Sequence, residues 1–196
     1  MADTPQAAGP GPLASLRGRC LLLGVSGSIA AYKAAPLTRL LVQAGAEVQV
    51  ILTESAAAFV TPLTLGTLSK KPVLTGFLRD AASGQWHNHV ELGLWAEALL
   101  IAPASANTIG QLANGLCPNL LSAVYLSARC PVFLAPAMDL DMYAHPAVTQ
   151  NLQRLRSFGN HVFDSPSGEL ASGLSGPGRM LEPEQIVAEL GKYFAK

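Results

Sequence analysis

Residues 19–47 read RCLLLGVSGSIAAYKAAPLTRLLVQAGAE, and the order of residue types in this stretch decides the predicted fold. The apolar run from Cys20 to Val25 predicts a buried strand, and the small residues Ser26, Gly27 and Ser28 predict a tight turn directly after it. A helical spacing of apolar residues begins at once and ends before Gly45. The stretch therefore predicts a strand, a turn and a helix, which is the opening unit of an α/β fold.

The turn in this unit is a candidate anion site. The first N–H groups of a helix lack intrahelical partners and lie at the positive end of its dipole, so they attract phosphate. Gly27 leaves space there, and Ser26 and Ser28 offer hydroxyl donors. The G-x-x-G spacing matches neither the dinucleotide fingerprint nor the P-loop. A turn that only connects strand and helix remains the alternative.

The same unit recurs along the chain. Apolar runs at residues 47–52, 98–103 and 131–135 predict further buried strands, and small polar residues follow each of them. Because strands alternate with helices, we predict a single α/β domain with a doubly wound, mostly parallel sheet, a three-layer architecture of the Rossmann/flavodoxin type. In such a sheet, ligands bind at the carboxyl ends of the strands.

The predicted helices and loops complete this picture. We expect a first helix over residues 28–44 with a kink at Pro36, and a second over residues 54–69 with a break at Thr61–Pro62. Two further helices are expected over residues 146–158 and 183–194, with a short strand at 161–164. Residues 76–88 and the Gly-rich residues 165–180 are predicted to be loops.

Composition limits the classes of function. Thirteen basic residues balance thirteen acidic ones without a basic cluster, which argues against a nucleic-acid or anionic-membrane partner. Only 13% of residues are charged and 49% are hydrophobic, which favours an oligomer with buried subunit contacts. No apolar run reaches the roughly 18 residues that span a bilayer.

The chain is predicted to comprise a disordered leader over residues 1–16 and one folded domain over residues 17–196. The leader is rich in Ala, Pro and Gly and lacks apolar periodicity. The three cysteines Cys20, Cys117 and Cys130 are odd in number and lack C-x-x-C spacing, so neither a disulfide framework nor a zinc site is expected. We expect a cytoplasmic protein.

A pair of histidines, His87 and His89, lies in the segment WHNHVEL. Residues two apart cannot form the i, i+4 pair of a helical metal site, and no Cys or carboxylate cluster adjoins them, so no metal is expected. An acid/base role for one of them is plausible because imidazole titrates near neutral pH. A histidine that is merely packed in a surface loop is the alternative.

Five separated segments, taken in order, are similar to one family. They read GVSGSIAAYK, NHVELGLWA, LLIAPASANTIGQLANG, APAMDLDMYAHP and GELASGLSGPGRM. They resemble the homo-oligomeric flavin-containing cysteine decarboxylases, and most closely the phosphopantothenoylcysteine decarboxylase half of the bacterial bifunctional coenzyme A biosynthesis protein. The resemblance covers about residues 24–194, and no counterpart of the CTP-dependent ligase half is expected in this sequence.

The resemblance implies FMN as the cofactor and a homotrimer or a higher multiple of three as the assembly. It implies that the following residues contact the flavin: Gly27, Ser28, Ile29, Thr53, Phe59, Ser105, Ala106, Asn107, Thr108 and Ala137. It also implies that His89, and not His87, is the catalytic histidine. Met180 is implied as a substrate contact.

Two positions depart from the family pattern. Asp139 stands where the family usually has an Asn that holds the substrate carboxylate, and Ser172 stands where it usually has a Cys that protonates an intermediate. An ionised Asp repels a carboxylate, and a serine hydroxyl is a much weaker acid than a thiol with a pKa of about 8.5. The resemblance still implies that Asp139 binds and orients the substrate head and that Ser172 occupies the acid position.

The implied reaction is the decarboxylation of 4′-phosphopantothenoylcysteine to 4′-phosphopantetheine. In the family mechanism FMN takes a hydride from the carbon that bears sulfur, carbon dioxide then leaves, and the hydride is returned. Two alternatives stay open. One is an enzyme that acts on a C-terminal peptide cysteine and stops at the enethiol, and the other is a non-catalytic regulatory flavoprotein.

Overall fold

The computed structural model describes residues 14–80 and 82–196, and its centre is a parallel sheet in the strand order β2-β1-β5-β6-β7. The strands of this sheet are β1 Cys20–Val25, β2 Glu47–Leu52, β5 Ala98–Ala104, β6 Val132–Pro136 and β7 His161–Val162. All four pairings are parallel. The prediction of a single, doubly wound α/β domain is therefore confirmed.

Helices cover both faces of the sheet. The α-helices are α1 Ala34–Gln43, α2 Pro62–Ser69, α3 His89–Trp95, α4 Ala106–Ala113, α5 Leu120–Ser127, α6 Leu140–Ala144, α7 Pro146–Ser157 and α8 Pro183–Phe194. Helices α1 and α8 pack on one face, whereas α4, α5 and α7 pack on the other. Every residue of the central strand β5 is buried, and from Ala98 to Ala102 its side chains alternate between the two hydrophobic clusters.

Two small antiparallel hairpins lie outside the central sheet. Strands β3 Leu78–Asp80 and β4 Gln85–Trp86 form one hairpin, and β8 Ser167–Glu169 and β9 Ser175–Pro177 form the other. Both fall in regions that the sequence analysis treated as loops. Strands of only two or three residues carry too little apolar alternation to be recognised from their sequence.

The first predicted helix is divided in two. Residues Ile29–Lys33 form a 3₁₀ helix, and α1 starts at Ala34. This division puts Pro36 in the first turn of α1, where its missing N–H needs no intrahelical partner. A break near Pro36 was thus correctly predicted, but a single helix from residue 28 was wrong. The predicted second helix is likewise divided, into the 3₁₀ helix Glu54–Ala58 and α2.

The predicted leader lies mostly outside the described residues. Ala14–Leu16 form a 3₁₀ turn, and Leu16 is fully buried in the cluster under α8. The Ser15 hydroxyl donates to the carbonyl of Gly191 in α8 at 2.7 Å. Ordered structure therefore begins before Arg17, and the boundary after residue 16 was placed too late because a single leucine carries no periodicity.

Within the part of the chain that the structure describes, no helix combines the length and apolar character needed to cross a bilayer. The same residues contain no group of three or more His, Cys, Asp or Glu side chains arranged to hold a metal ion.

Candidate active site

The turns after β1 and β5 are joined by one buried hydroxyl. The Ser26 Oγ donates to the carbonyl of Pro103 at 2.7 Å and accepts from the N–H of Ser105 at 2.9 Å. Ser26 is fully buried, so its hydroxyl binds neighbouring backbone and is not free to donate to an anion. The sequence interpretation of Ser26 as an anion donor was therefore wrong.

Gly27 is required by a close approach of the next turn. A Cβ at this position would lie 2.6 Å from the Oγ of Ser55, which follows β2. The absence of a side chain at Gly27 therefore leaves room for the Ser55 side chain. Gly27 brings the turns after β1 and β2 into contact.

Ser28 is the residue of this turn that faces a cavity. Its Oγ accepts from the N–H of Ala30 at 3.2 Å and so caps the 3₁₀ helix, and no acceptor for its own hydrogen is found among the described residues. Ile29, directly after it, leaves 60% of its surface exposed. A free hydroxyl donor therefore lies beside an exposed apolar side chain at the carboxyl edge of the sheet.

The other predicted flavin contacts also lie at this edge. Thr53 accepts from the N–H of Ala56 at 3.3 Å, and Phe59 ends the same 3₁₀ helix with its side chain partly exposed. Ser105 accepts from the N–H of Thr108 at 3.3 Å and so caps α4. These residues surround the edge but do not line the cleft that contains Ser28.

The cleft itself has a volume of about 540 Å³. It brings together six of the predicted site residues, namely Ser28, Ile29, Ala137, Asp139, Ser172 and Met180. It also contains Lys33 and Arg179, to which the sequence analysis assigned no role. Arg179 could have been noticed as a lone cation in a Gly-rich stretch, whereas Lys33 was hidden in an apparently ordinary helix.

One wall of the cleft is the flap, defined here as β8, β9 and the turn between them, residues 167–177. Its end is fixed at Gly178, whose carbonyl accepts from the N–H of Met138 at 3.0 Å. A Cβ on Gly178 would lie only 2.5 Å from the carbonyl oxygen of Met138, and its φ of +134° is rarely adopted by L side chains. Only glycine fits this junction without strain.

Asp139 and Ser172 contact each other across the cleft. The Ser172 Oγ donates to Oδ1 of Asp139 at 2.9 Å, and the N–H of Leu140 donates to the same oxygen at 2.7 Å. Oδ1 of Asp139 thus accepts two hydrogen bonds, one from the flap and one from the backbone of α6. The two residues that depart from the family pattern thus form one unit, in which the flap is bonded to the start of α6.

Lys33 binds the segment that follows the flap. Its nearly buried Nζ donates to the carbonyl of Met180 at 3.1 Å and to Oε1 of Glu182 at 2.8 Å. Hydrogen bonding from Lys33 lowers the pKa of Glu182, although burial opposes the shift. Arg179 also reaches this oxygen through Nη2, at a longer distance of 3.3 Å.

His89 lies elsewhere in the fold. It is the first residue of α3, which is capped by the side chain of Asn88, and its ring packs near Phe77 and Trp86. Its Nδ1 is buried without a hydrogen-bond partner among the described residues. The Ser127 hydroxyl donates to its backbone carbonyl at 3.2 Å. Ser127 ends α5 shortly before β6 starts, so His89 lies toward the amino ends of the strands and does not line the cleft.

His87 does not share this environment. Burial, and then the nearby charge of Arg79, lowers its pKa. It does not line the cleft, and its backbone N–H donates to the carbonyl of Phe77 at 2.7 Å.

Comparison with known proteins places this arrangement in a family. The model of the family described as "Flavoprotein" matches residues 12–194, nearly the whole chain. The chain belongs to the flavoprotein family. This membership agrees with the resemblance stated from the five sequence segments.

Individual relatives extend the likeness. The chain is 46% identical over 181 residues to the coenzyme A biosynthesis bifunctional protein CoaBC of Vibrio cholerae, covering 92% of this chain and 45% of that protein. It is 60% identical over 137 residues to a cysteine/cysteine sulfinic acid decarboxylase from an unknown prokaryotic organism, covering 70% of this chain and 38% of that protein. This flavoprotein chain thus spans less than half the length of both relatives.

A solved flavoprotein structure matches over its full length. It is a Cys-to-Ser mutant of PPC decarboxylase in complex with pantothenoylaminoethenethiol, with a TM-score of 0.82 and 34% identity. The match covers 92% of this chain and 100% of that chain. The likeness therefore extends over nearly the whole fold.

Proposed function

We propose that this flavoprotein uses FMN to decarboxylate 4′-phosphopantothenoylcysteine to 4′-phosphopantetheine in coenzyme A biosynthesis. The observation that carries the proposal is the cleft in which the Ser28 turn, the Ala137–Asp139 segment and the flap meet. The likeness to CoaBC and to PPC decarboxylase supports this substrate.

The residues present fit FMN. The hydroxyl hydrogen of Ser28 is free to donate to a phosphate, and the exposed side chains of Ile29 and Phe59 offer apolar surface for a ring system at the same edge. When bound, FMN supplies a two-electron acceptor that takes a hydride from the carbon bearing sulfur and later returns it. Loss of carbon dioxide needs such an electron sink, which protein side chains do not provide.

The chain's own groups then hold the substrate and move protons. His89 carries an imidazole whose Nδ1 has no partner among the described residues, and it acts as the acid/base at the oxidative step. Asp139 and Ser172 lie at the substrate end of the cleft, where Ser172 orients the carboxylate of Asp139. The flap closes over the substrate and excludes water.

We propose that the functional assembly is a homotrimer or a multiple of three. In one chain His89 lies away from the cleft that holds Ser28 and Asp139, so a second copy has to bring its His89 to that cleft. Large apolar side chains are exposed at both features, including Ile29 and Tyr32 in the cleft and Leu94 in the helix that starts at His89. Burying them between subunits would stabilise the assembly.

We also place the reaction in the cytoplasm. Cys20, Cys117 and Cys130 are all free thiols in the structure, which suits a reducing compartment.

The first prediction concerns FMN and product. We expect the purified protein to be yellow, to release FMN on denaturation, and to convert 4′-phosphopantothenoylcysteine into 4′-phosphopantetheine as measured by mass spectrometry. A protein that neither contains FMN nor retains added FMN would contradict the proposal. Accumulation of the enethiol instead would show that Ser172 does not support the second half of the reaction.

The second prediction concerns mass. We expect light scattering with size-exclusion chromatography to give three times the chain mass of 20.4 kDa, or a multiple of that trimer. A monomer that retained FMN and full activity would rule out the shared site.

A further inference from the structure

The charges that line the cleft are not evenly paired. The ionisable side chains of the cleft are Lys33, Asp139, Glu169 and Arg179, together with the phenol of Tyr32. Lys33 is already bound to Glu182 and to the carbonyl of Met180. Glu169 is exposed, and no ion pair joins it to Arg179 among the described residues. The charges that remain to face a ligand are therefore Arg179, Asp139 and Glu169, and Arg179 is the cation among them.

Arg179 is held in place without being neutralised. Its only ion pair among the described residues is with Glu182, at 3.3 Å and to the same Oε1 that Lys33 reaches at 2.8 Å. Two cations, Lys33 and Arg179, therefore share one carboxylate oxygen, and Lys33 is the nearer of the two. The guanidinium lies over Gly168 of the flap, since a Cβ there would be 2.7 Å from Nη1. Glycine at position 168 gives the Arg179 side chain room beside the cleft.

Asp139 offers an acceptor and no donor. Ser172 and the N–H of Leu140 both bond to its Oδ1, and no partner for Oδ2 is found among the described residues. An ionised carboxylate in this state repels the carboxylate of a substrate but accepts a hydrogen bond from an N–H group. Its chemistry is opposite to that of Arg179, which binds carboxylates and donates only.

We infer that Arg179 and Asp139 together bind the cysteine end of the substrate, with Arg179 on the carboxylate and Asp139 accepting from the amide N–H. This inference rests on the proposed function and deepens it, because it assigns the carboxylate to a residue for which the sequence offered no role. An acylated cysteine carries these two groups on the same carbon. The pair therefore recognises the α-carbon of the substrate by one donor and one acceptor.

The test uses two unreactive ligands with the FMN-loaded protein. 4′-Phosphopantothenoylserine keeps the carboxylate but has no thiol to oxidise, and 4′-phosphopantetheine lacks the carboxylate. We expect Arg179→Gln to weaken binding of the serine analogue about 10- to 100-fold in calorimetry, since a charge-assisted hydrogen bond is lost. Binding of 4′-phosphopantetheine should change by less than about 3-fold. A merely structural role would weaken both ligands equally.

A second substitution should rescue the first. Asp139→Asn replaces the acceptor by an amide that donates to a carboxylate, so the double variant Asp139→Asn/Arg179→Gln should bind the serine analogue more tightly than Arg179→Gln alone. Arg156→Gln is the matched control. Its guanidinium pairs with Asp164 outside the cleft, and its removal should change neither ligand.

Three outcomes would overturn the inference. Equal losses for the two ligands would make Arg179 structural, and absence of rescue would contradict the opposite roles of the pair. Release of FMN by Arg179→Gln, with riboflavin affinity unchanged, would assign the guanidinium to the cofactor phosphate instead. The proposed function is judged separately by turnover of the unmodified protein, so wild-type turnover with any of these results removes the inference alone.

Discussion

Replacing His89 by Asn should lower turnover by about three orders of magnitude while FMN remains bound, because general acid–base catalysis contributes roughly 10²- to 10⁴-fold. Asn is similar in size and keeps a polar group at the first position of α3, where the cap from Asn88 is unaffected. Stopped-flow absorbance should show that substrate no longer reduces the flavin. Reduction at the wild-type rate would show that another residue moves the proton.

Mixed assemblies make this prediction sharper. His89→Asn subunits keep an intact cleft, and Arg179→Gln subunits keep an intact His89. If a cleft uses the His89 of a neighbouring subunit, an active site needs an intact cleft from one subunit and an intact His89 from another. After random mixing of equal amounts each of these is present about half of the time, so about a quarter of the wild-type sites should be restored. No recovery of activity would place both contributions in the same chain.

Gly178→Ala should be the most damaging substitution at the flap. The new Cβ would meet the carbonyl oxygen of Met138 at 2.5 Å, and alanine does not adopt a φ of +134° without strain. Strain of this kind costs on the order of 1–3 kcal/mol, and it can be relieved only by moving the flap or the segment that carries Asp139. We expect turnover to fall about 10- to 100-fold, since misplaced groups lose catalytic geometry.

The matched control for this change is Gly159→Ala. Gly159 also has a positive φ, +87°, but a Cβ there would meet no atom within 4 Å. Its substitution should cost on the order of 1–2 kcal/mol of stability through backbone strain alone and leave turnover unchanged. Thermal unfolding measures the stability of each variant independently of its turnover. Equal falls in turnover for both variants would point to global destabilisation and not to a displaced flap.

Much of the fold follows from local pattern alone. The apolar runs that predicted β1 and β2 coincide with the observed strands, and α8 has the predicted bounds. These elements are recognisable because each buries a continuous run or a periodic face. The two hairpins were not recognisable, since their short strands are stabilised by pairing and by contacts with distant segments.

The site was predictable only in part for the same reason. Motif resemblance brought Ser28, Asp139 and Ser172 into one hypothesis, and the structure places them in one cleft. Sequence could not reveal that Ser26 bonds to Pro103 or that Gly27 is packed against Ser55, because these contacts join residues far apart in the chain. The proposed role of Arg179 depends on the contact of both Lys33 and Arg179 with Oε1 of Glu182. Lys33 is far from the other two residues in the chain, so this contact is also visible only in the fold.

The strand order has a consequence for how the protein acquires its ligand. Strand β1 pairs with β2 on one side and with β5 on the other. The paired residues of β1 and β5 are 77 positions apart in the chain, as for Leu21 and Ala98. The carboxyl edge is thus assembled from segments that are far apart in the chain, and it forms only when these strands have paired. Long-range parallel pairing of this kind folds slowly. A molecule held at that edge binds the native chain but not the unfolded chain. It should therefore raise the melting temperature in proportion to the logarithm of its concentration without speeding the folding step.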